Sequence, residues 1–146
     1  MPELAGIETV LFLQSVDLFR FCSAEQILRL AAIAHERNFV AGSRIFDPDE
    51  PARVLFCVVR GQVELTGGDG PVQAIGPLGT FGVEEILGGR QRTRAARATA
   101  DTLTLAMEAE DFFDLLAHNI EIVKALFRRF LPDGPDHQDP GGEGAP

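Results

Sequence analysis

Apolar and polar residues follow three different rhythms along this chain. Residues 7–13, IETVLFL, form a short apolar run of helical character, and SVDLFRFC follows as a turn expected to bury Val16, Leu18 and Phe19. Ser23-Ala24-Glu25-Gln26 then makes a capping box, S-x-x-Q, in which hydroxyl and amide side chains satisfy each other's backbone N–H groups. Cys22 and Ile27 occupy the two staple positions around it. Ile27, Leu30, Ala31 and Ala34 recur at helical spacing, so a second helix is predicted to end near His35. From Phe39 to Met107 the apolar runs shorten to RIF, VLFCVV, QVELT, VQAIG, RAARATA and TLTLAM, separated by frequent glycines. Many short strands with glycine turns point to an all-β barrel or sandwich. TGGDG reads as the hairpin turn between QVELT and PVQAI. VEEILGG is the one helical stretch inside this region.

Beyond Met107 the helical rhythm returns. AEDFFDLLAH makes one helix, and Asn119 is the expected N-cap of another, IEIVKALFRRFL. The apolar stripe of that last helix is read as Val123, Leu126, Phe127 and Phe130, packing on the barrel, with a dimer contact as the lesser alternative. Pro132 ends it. Residues 132–146, PDGPDHQDPGGEGAP, carry Pro, Gly and acids without an apolar pattern and are expected to form a disordered acidic tail. The folded domain is expected over residues 1–131.

Composition narrows the function. The 146 residues suit one domain. The formal net charge is −9 without a basic arm, and nucleic-acid affinity comes mainly from phosphate neutralisation, so nucleic acid is not an expected partner. No apolar run reaches the ~18 residues of a membrane span. The start, MPELAGIETVLFLQ, has acids and no basic region of a secretory signal. A cytoplasmic location without a membrane partner is therefore expected. Cys22 and Cys57 are expected to pack as core thiols. His35, His118 and His137 are scattered without metal-ligand spacing. No nucleophile–base pair, P-loop or G-x-S-x-G is present, which favours a binding module over an enzyme.

Against this acidic background Arg90, Arg92, Arg94 and Arg97 crowd into TFGVEEILGGRQRTRAARATA. A phosphate-sized ligand matches so local a cluster. The order of elements resembles the cyclic nucleotide-binding domain family, and two stretches carry the resemblance. VAGSRIFDPDEPARVLFCVVRGQVELT is similar to the family's "AG..IF..GD.....Y.V..G.V..", with Gly42 and Gly61 on the turn glycines. FGVEEILGGRQRTRAARA is similar to its phosphate-binding cassette, F-G-E-L-A-L-L, a short spacer, then P-R-[ST/A]-A-[TSV]-V-x-A. The resemblance implies a mainly β fold with flanking helices, a double-stranded β-helix (jelly roll or β-roll). It also implies a regulatory role in signal transduction, no required cofactor, and cAMP or cGMP as the candidate ligand.

The resemblance assigns ligand-facing positions to Phe81, Gly82, Val83, Glu84, Glu85, Arg92, Thr93 and Arg94. In the family a short helix turns free N–H groups to the cyclic phosphate, an Arg pairs with its oxygens, and a Glu accepts from the ribose 2′-OH. Phe81, Gly82, Arg92 and the hydroxyl of Thr93 match that pattern. Glu84 and Glu85 stand where the family has Leu and Ala, and Arg94 replaces a small residue. Val83 takes the place of the Glu, unless a local shift brings Glu84 into that role. Valine accepts no hydrogen bond. Losing a charged acceptor costs ~1.5–3 kcal/mol, on the order of 10- to 100-fold in affinity.

By strand alternation Arg92, Arg94, Ala96, Ala98 and Ala100 share one face, read as the interior, while Thr93, Arg97, Thr99 and Asp101 share the other. An inward arginine needs a partner. Either an anionic ligand bridges Arg92 and Arg94, or Glu84 or Glu85 turns in to pair with them; both acids also suit a helix N-terminus. Arg90 and Arg97 are expected in solvent. Two functions follow. The first is a stand-alone regulatory module that binds a nucleotide or phosphate-like anion and signals to a protein partner. The alternative is a ligand-free interaction or dimerisation module, homodimeric through its C-terminal helix, with a pocket closed by internal Arg–Glu pairs.

Overall fold

The computed structural model of the chain describes residues 3–130. The expected tail, 132–146, lies outside the described residues, as does the helix end at Leu131. Two helices open the chain, α1 (Gly6–Ser15) and α2 (Ala24–Ile33), joined through a 3-10 turn at Asp17–Phe19. Val16, Leu18 and Phe19 are buried as the pattern predicts. The capping box is formed: Gln26 N–H donates to Ser23 Oγ at 3.2 Å, and Ser23 N–H donates to Gln26 Oε1 at 2.8 Å.

α2 stops at Ile33, short of the expected end near His35, because the chain turns at once into strand β1 (Ala34–Phe39). The sequence of β1, AHERNF, shows no apolar alternation. Among the described residues it pairs only with β8 (Thr102–Glu108) and forms a sheet edge, where polar side chains are tolerated. Seven more strands follow: β2 (Arg44–Phe46), β3 (Val54–Arg60), β4 (Val63–Thr66), β5 (Gln73–Ile75), β6 (Thr80–Phe81), β7 (Ala95–Ala98) and β8 (Thr102–Glu108). They build two four-stranded antiparallel sheets, β1-β8-β3-β6 and β2-β7-β4-β5, which is the expected β-roll. Gly42 and Gly61 take positive φ, 88° and 100°, at the turns assigned to them.

β3 is buried on both faces. Leu55 and Cys57 join a cluster on the helical side with Leu13, Phe19, Leu30, Phe112 and Ile122. Phe56 and Val58 point into the roll, with Phe46, Val63, Phe81 and Ala96. β8 repeats the division, with Leu105 and Met107 on the helical side and Ala106 in the roll. Double burial explains why VLFCVV reads as an unbroken apolar run rather than an alternation. Both cysteines are free thiols. Burial pushes the pKa of Cys57 up to about 12 and that of Cys22 up to about 11.

α4 (Ala109–Ala117) and α5 (Ile120–Phe130) close the described chain. The stripe expected on α5 is out of phase. Ile122, Ala125 and Leu126 are its buried residues, whereas Val123 is half-buried and Phe127 is 65% exposed. The Phe130 side chain lies outside the description. Two registers of one helical period fit this sequence, and packing of Ile122 and Leu126 in the same cluster as Phe112 selects between them. Asn119 precedes α5, but its side chain links helices instead. Its Nδ2 donates to Leu115 O at 2.8 Å, and its Oδ1 accepts from Arg29 of α2. No described helix is long and apolar enough to cross a membrane.

Candidate functional site

The cassette begins where β6 passes through Gly82 into a short helix, α3 (Val83–Gly88). Gly82 has φ of 85°, and a Cβ there would lie 2.9 Å from Arg92 Nη1 and 3.1 Å from Val54 O. Glycine is required both by the backbone angle and by this close approach. Arg92 then folds back across the start of α3. Its side chain is 3% exposed. Nη1 donates to Gly82 O at 2.8 Å and to Glu85 Oε1 at 3.1 Å, and Nη2 donates to Val54 O. The guanidinium lies 4.1 Å from the Phe46 ring centroid, a cation–π contact. Phe46 leans on Phe81, which stacks on Phe56 at 4.9 Å, so the cation rests on an aromatic floor. Burial lowers the Arg92 pKa, with Glu85 and then Glu50 opposing it. An arginine stays charged through that shift.

The backbone of Arg92 is also gripped. Asp49 N–H donates to Arg92 O at 2.7 Å, and Arg92 N–H donates to Glu50 O at 2.8 Å. Asp49 adopts φ of 71°, a left-handed conformation that aspartate tolerates better than most residues.

Of the two cassette acids, Glu85 turns inward and Glu84 stays exposed. The Glu85 carboxylate is 17% exposed and accepts from Thr93 Oγ1 at 3.4 Å as well as from Arg92. Val83 is 3% exposed and packs, with Ile86, into the helical cluster. Ala96 and Ala98 are buried on the Arg92 face and Arg97 is exposed, in line with the alternation. Arg90 is exposed too.

Arg94 pairs with neither Glu84 nor Glu85. It is half-buried and donates to three backbone carbonyls of the β4–β5 turn: Nε to Gly67 O at 2.9 Å, and Nη2 to Gly70 O at 3.1 Å and Pro71 O at 2.6 Å. The structure therefore gathers Phe81, Gly82, Glu85, Arg92 and Thr93. It places Val83 in the core, Glu84 in solvent and Arg94 on the hairpin. Phe46, Val54, Asp49 and Glu50 complete the surroundings. Phe46 was visible only as an apolar strand residue, and the carbonyl of Val54 has no side-chain signature.

A family description, the cyclic nucleotide-binding domain, matches residues 36–119. cGMP-dependent protein kinase 2 of Homo sapiens is 27% identical over 107 residues, which cover 73% of this chain and 14% of the kinase. The chain thus spans about a seventh of that relative's length. Among solved structures, the N-terminal domain of a transcriptional regulator from Streptomyces coelicolor A3(2) superposes with a TM-score of 0.68 at 28% identity, covering 81% of this chain and 88% of that one. The regulatory domain of Toxoplasma gondii PKA, crystallised with cAMP, shares the fold with a TM-score of 0.72 at 18% identity, covering 86% of this chain and 50% of that one.

Proposed function

The chain belongs to the cyclic nucleotide-binding domain family, and on that premise we propose that it is a regulatory module in which a nucleotide or phosphate-like anion takes the place of Glu85 on Arg92. The observation that carries this reading is the Arg92–Glu85 pair, a buried guanidinium whose one carboxylate partner among the described residues comes from a six-residue helix. A phosphate presents the same forked oxygen geometry to a guanidinium. The Thr93 hydroxyl, released by Glu85, becomes a second donor. Release of Glu85 also loosens α3, whose other side holds Val83 and Ile86 in the helical cluster with Leu13, Phe19, Phe112 and Ile122. Occupancy is thereby felt at the helices, from which a partner domain or protein reads it.

Calorimetric titration tests it. Wild-type protein is expected to bind cAMP or cGMP saturably, and Arg92→Ala to lose that binding. Glu85→Gln deletes the competing charge and is expected to bind about tenfold more tightly. Because Val83 accepts no hydrogen bond, 2′-deoxy-cAMP is expected to bind within about threefold of cAMP. Absence of heat up to millimolar cAMP, cGMP and inorganic phosphate rejects the reading and leaves Glu85 the permanent partner of Arg92.

A further inference from the structure

Arg94 stands where the resembled cassette keeps a small residue, and all three of its hydrogen-bond acceptors are neutral carbonyls of one hairpin turn. That turn also touches the cassette backbone: a Cβ at Gly68 would lie 3.2 Å from Thr93 O and 3.5 Å from Arg94 Cγ. We propose that Arg94 is a latch, which holds the β4–β5 hairpin against the cassette while the anion site is empty and lets it go when an anion occupies Arg92 and Thr93. This rests on the function proposed above and gives the same site a moving part. Hydrogen bonds from a guanidinium to an ionised acceptor are about twice as strong as those to a neutral one. A phosphate therefore draws Arg94 away from carbonyls. Arg92 differs, because its partner without ligand is already a carboxylate. Arg94 is two residues from Arg92 along the chain, a separation that an arginine side chain can span.

The chain contains neither Trp nor Tyr, so Val72→Trp, at the exposed residue after Pro71, gives one fluorophore that reports the hairpin alone. The protein carrying it is compared with the same protein bearing Arg94→Ala or Arg94→Lys, each checked for folding by circular dichroism. Without ligand, Arg94→Ala is expected to raise acrylamide quenching about twofold and to lower anisotropy. Arg94→Lys, one ammonium against three carbonyls, falls between. Saturating cAMP is expected to bring the V72W protein to the Arg94→Ala values and to leave the Arg94→Ala protein unchanged. Equal quenching with and without Arg94 overturns the latch. Binding heat from cAMP with no change in the tryptophan signal overturns it as well, while the Arg92 site stands. Absence of heat from cAMP, cGMP and inorganic phosphate overturns the Arg92 site and the release step together.

Discussion

The two faces of the β3–β8 layer bury different chemistry. On the helical face Leu55, Cys57, Leu105 and Met107 meet aliphatic and aromatic side chains from α1, α2, α4 and α5. On the roll face the cluster is smaller and rich in phenylalanine, and Arg92 lies on it. Among the described residues the buried polar side chains are Thr102, Thr104 and Arg92, and the charged one stands at the roll. A core that only holds a fold excludes ions, because desolvating a charge costs several kcal/mol unless a partner repays it. The helical face obeys that rule and the roll face departs from it at one point. α3 belongs to both, with Val83 and Ile86 on one side and Glu85 on the other.

Arg92→Ala should break this comparison most severely. It strands the Glu85 carboxylate and two backbone carbonyls around a void, and loss of one partner of a buried pair costs ~3–5 kcal/mol. Urea unfolding should show that loss, and the folded fraction should no longer bind ligand. Leu105→Ala removes a fully buried leucine from the helical face and should cost a comparable ~2–5 kcal/mol. Its folded fraction should keep ligand affinity within about threefold. Loss of binding in Leu105→Ala would mean that the two faces are not separable.

Glu85→Gln should have a smaller effect and sharpen the contrast. Arg92 keeps its carbonyls and gains an amide oxygen but loses its ionic partner, for ~1.5–3 kcal/mol of stability. The same substitution should tighten ligand binding. A change that lowers stability and raises affinity together marks a competitor for the ligand, and no substitution on the helical face should do both. Parallel losses of stability and affinity would make Glu85 a support for the site instead.

Much of this division was legible in the residues. The capping box at Ser23, the TGGDG turn, the double-buried VLFCVV run and the inward Arg92 each follow from a local rule that the fold respects. β1 escaped because an edge strand can be polar, and β6 because two residues carry no period. The phase of α5 escaped because Val123-Leu126-Phe127 and Ile122-Ala125-Leu126 fit one helical period equally well. In the site, alternation could turn Arg92 inward but could not choose between Glu84 and Glu85, which differ only in which side of one helical turn they occupy. The acceptors of Arg94 were invisible for a further reason: they are main-chain carbonyls, and any residue type supplies one.

The mildest test uses pH and reads the helical face alone. Burial raises the Cys57 pKa from 9.0 to about 12. A thiol whose folded pKa is raised contributes stability that is complete below the unfolded value and lost as pH climbs towards the folded one. The window is therefore pH 9.0 to about 12, in which the unfolded state has released a proton that the folded state keeps. One such group costs about 1.4 kcal/mol per pH unit inside that window. Cys22, with a pKa of about 11, adds a slope of its own over the lower part. The background is clean, since the chain has no tyrosine and Lys124 is its one lysine. An arginine keeps its proton at about pH 9 to 10.5, so Arg92 contributes nothing to the slope measured there. Urea midpoints measured at about pH 9 and pH 10.5 should fall in the wild type, and Cys57→Ala should flatten the fall by about one proton's worth. An unchanged slope in that variant would place the Cys57 thiol in water, and the uniform apolarity of the helical face would fail with it.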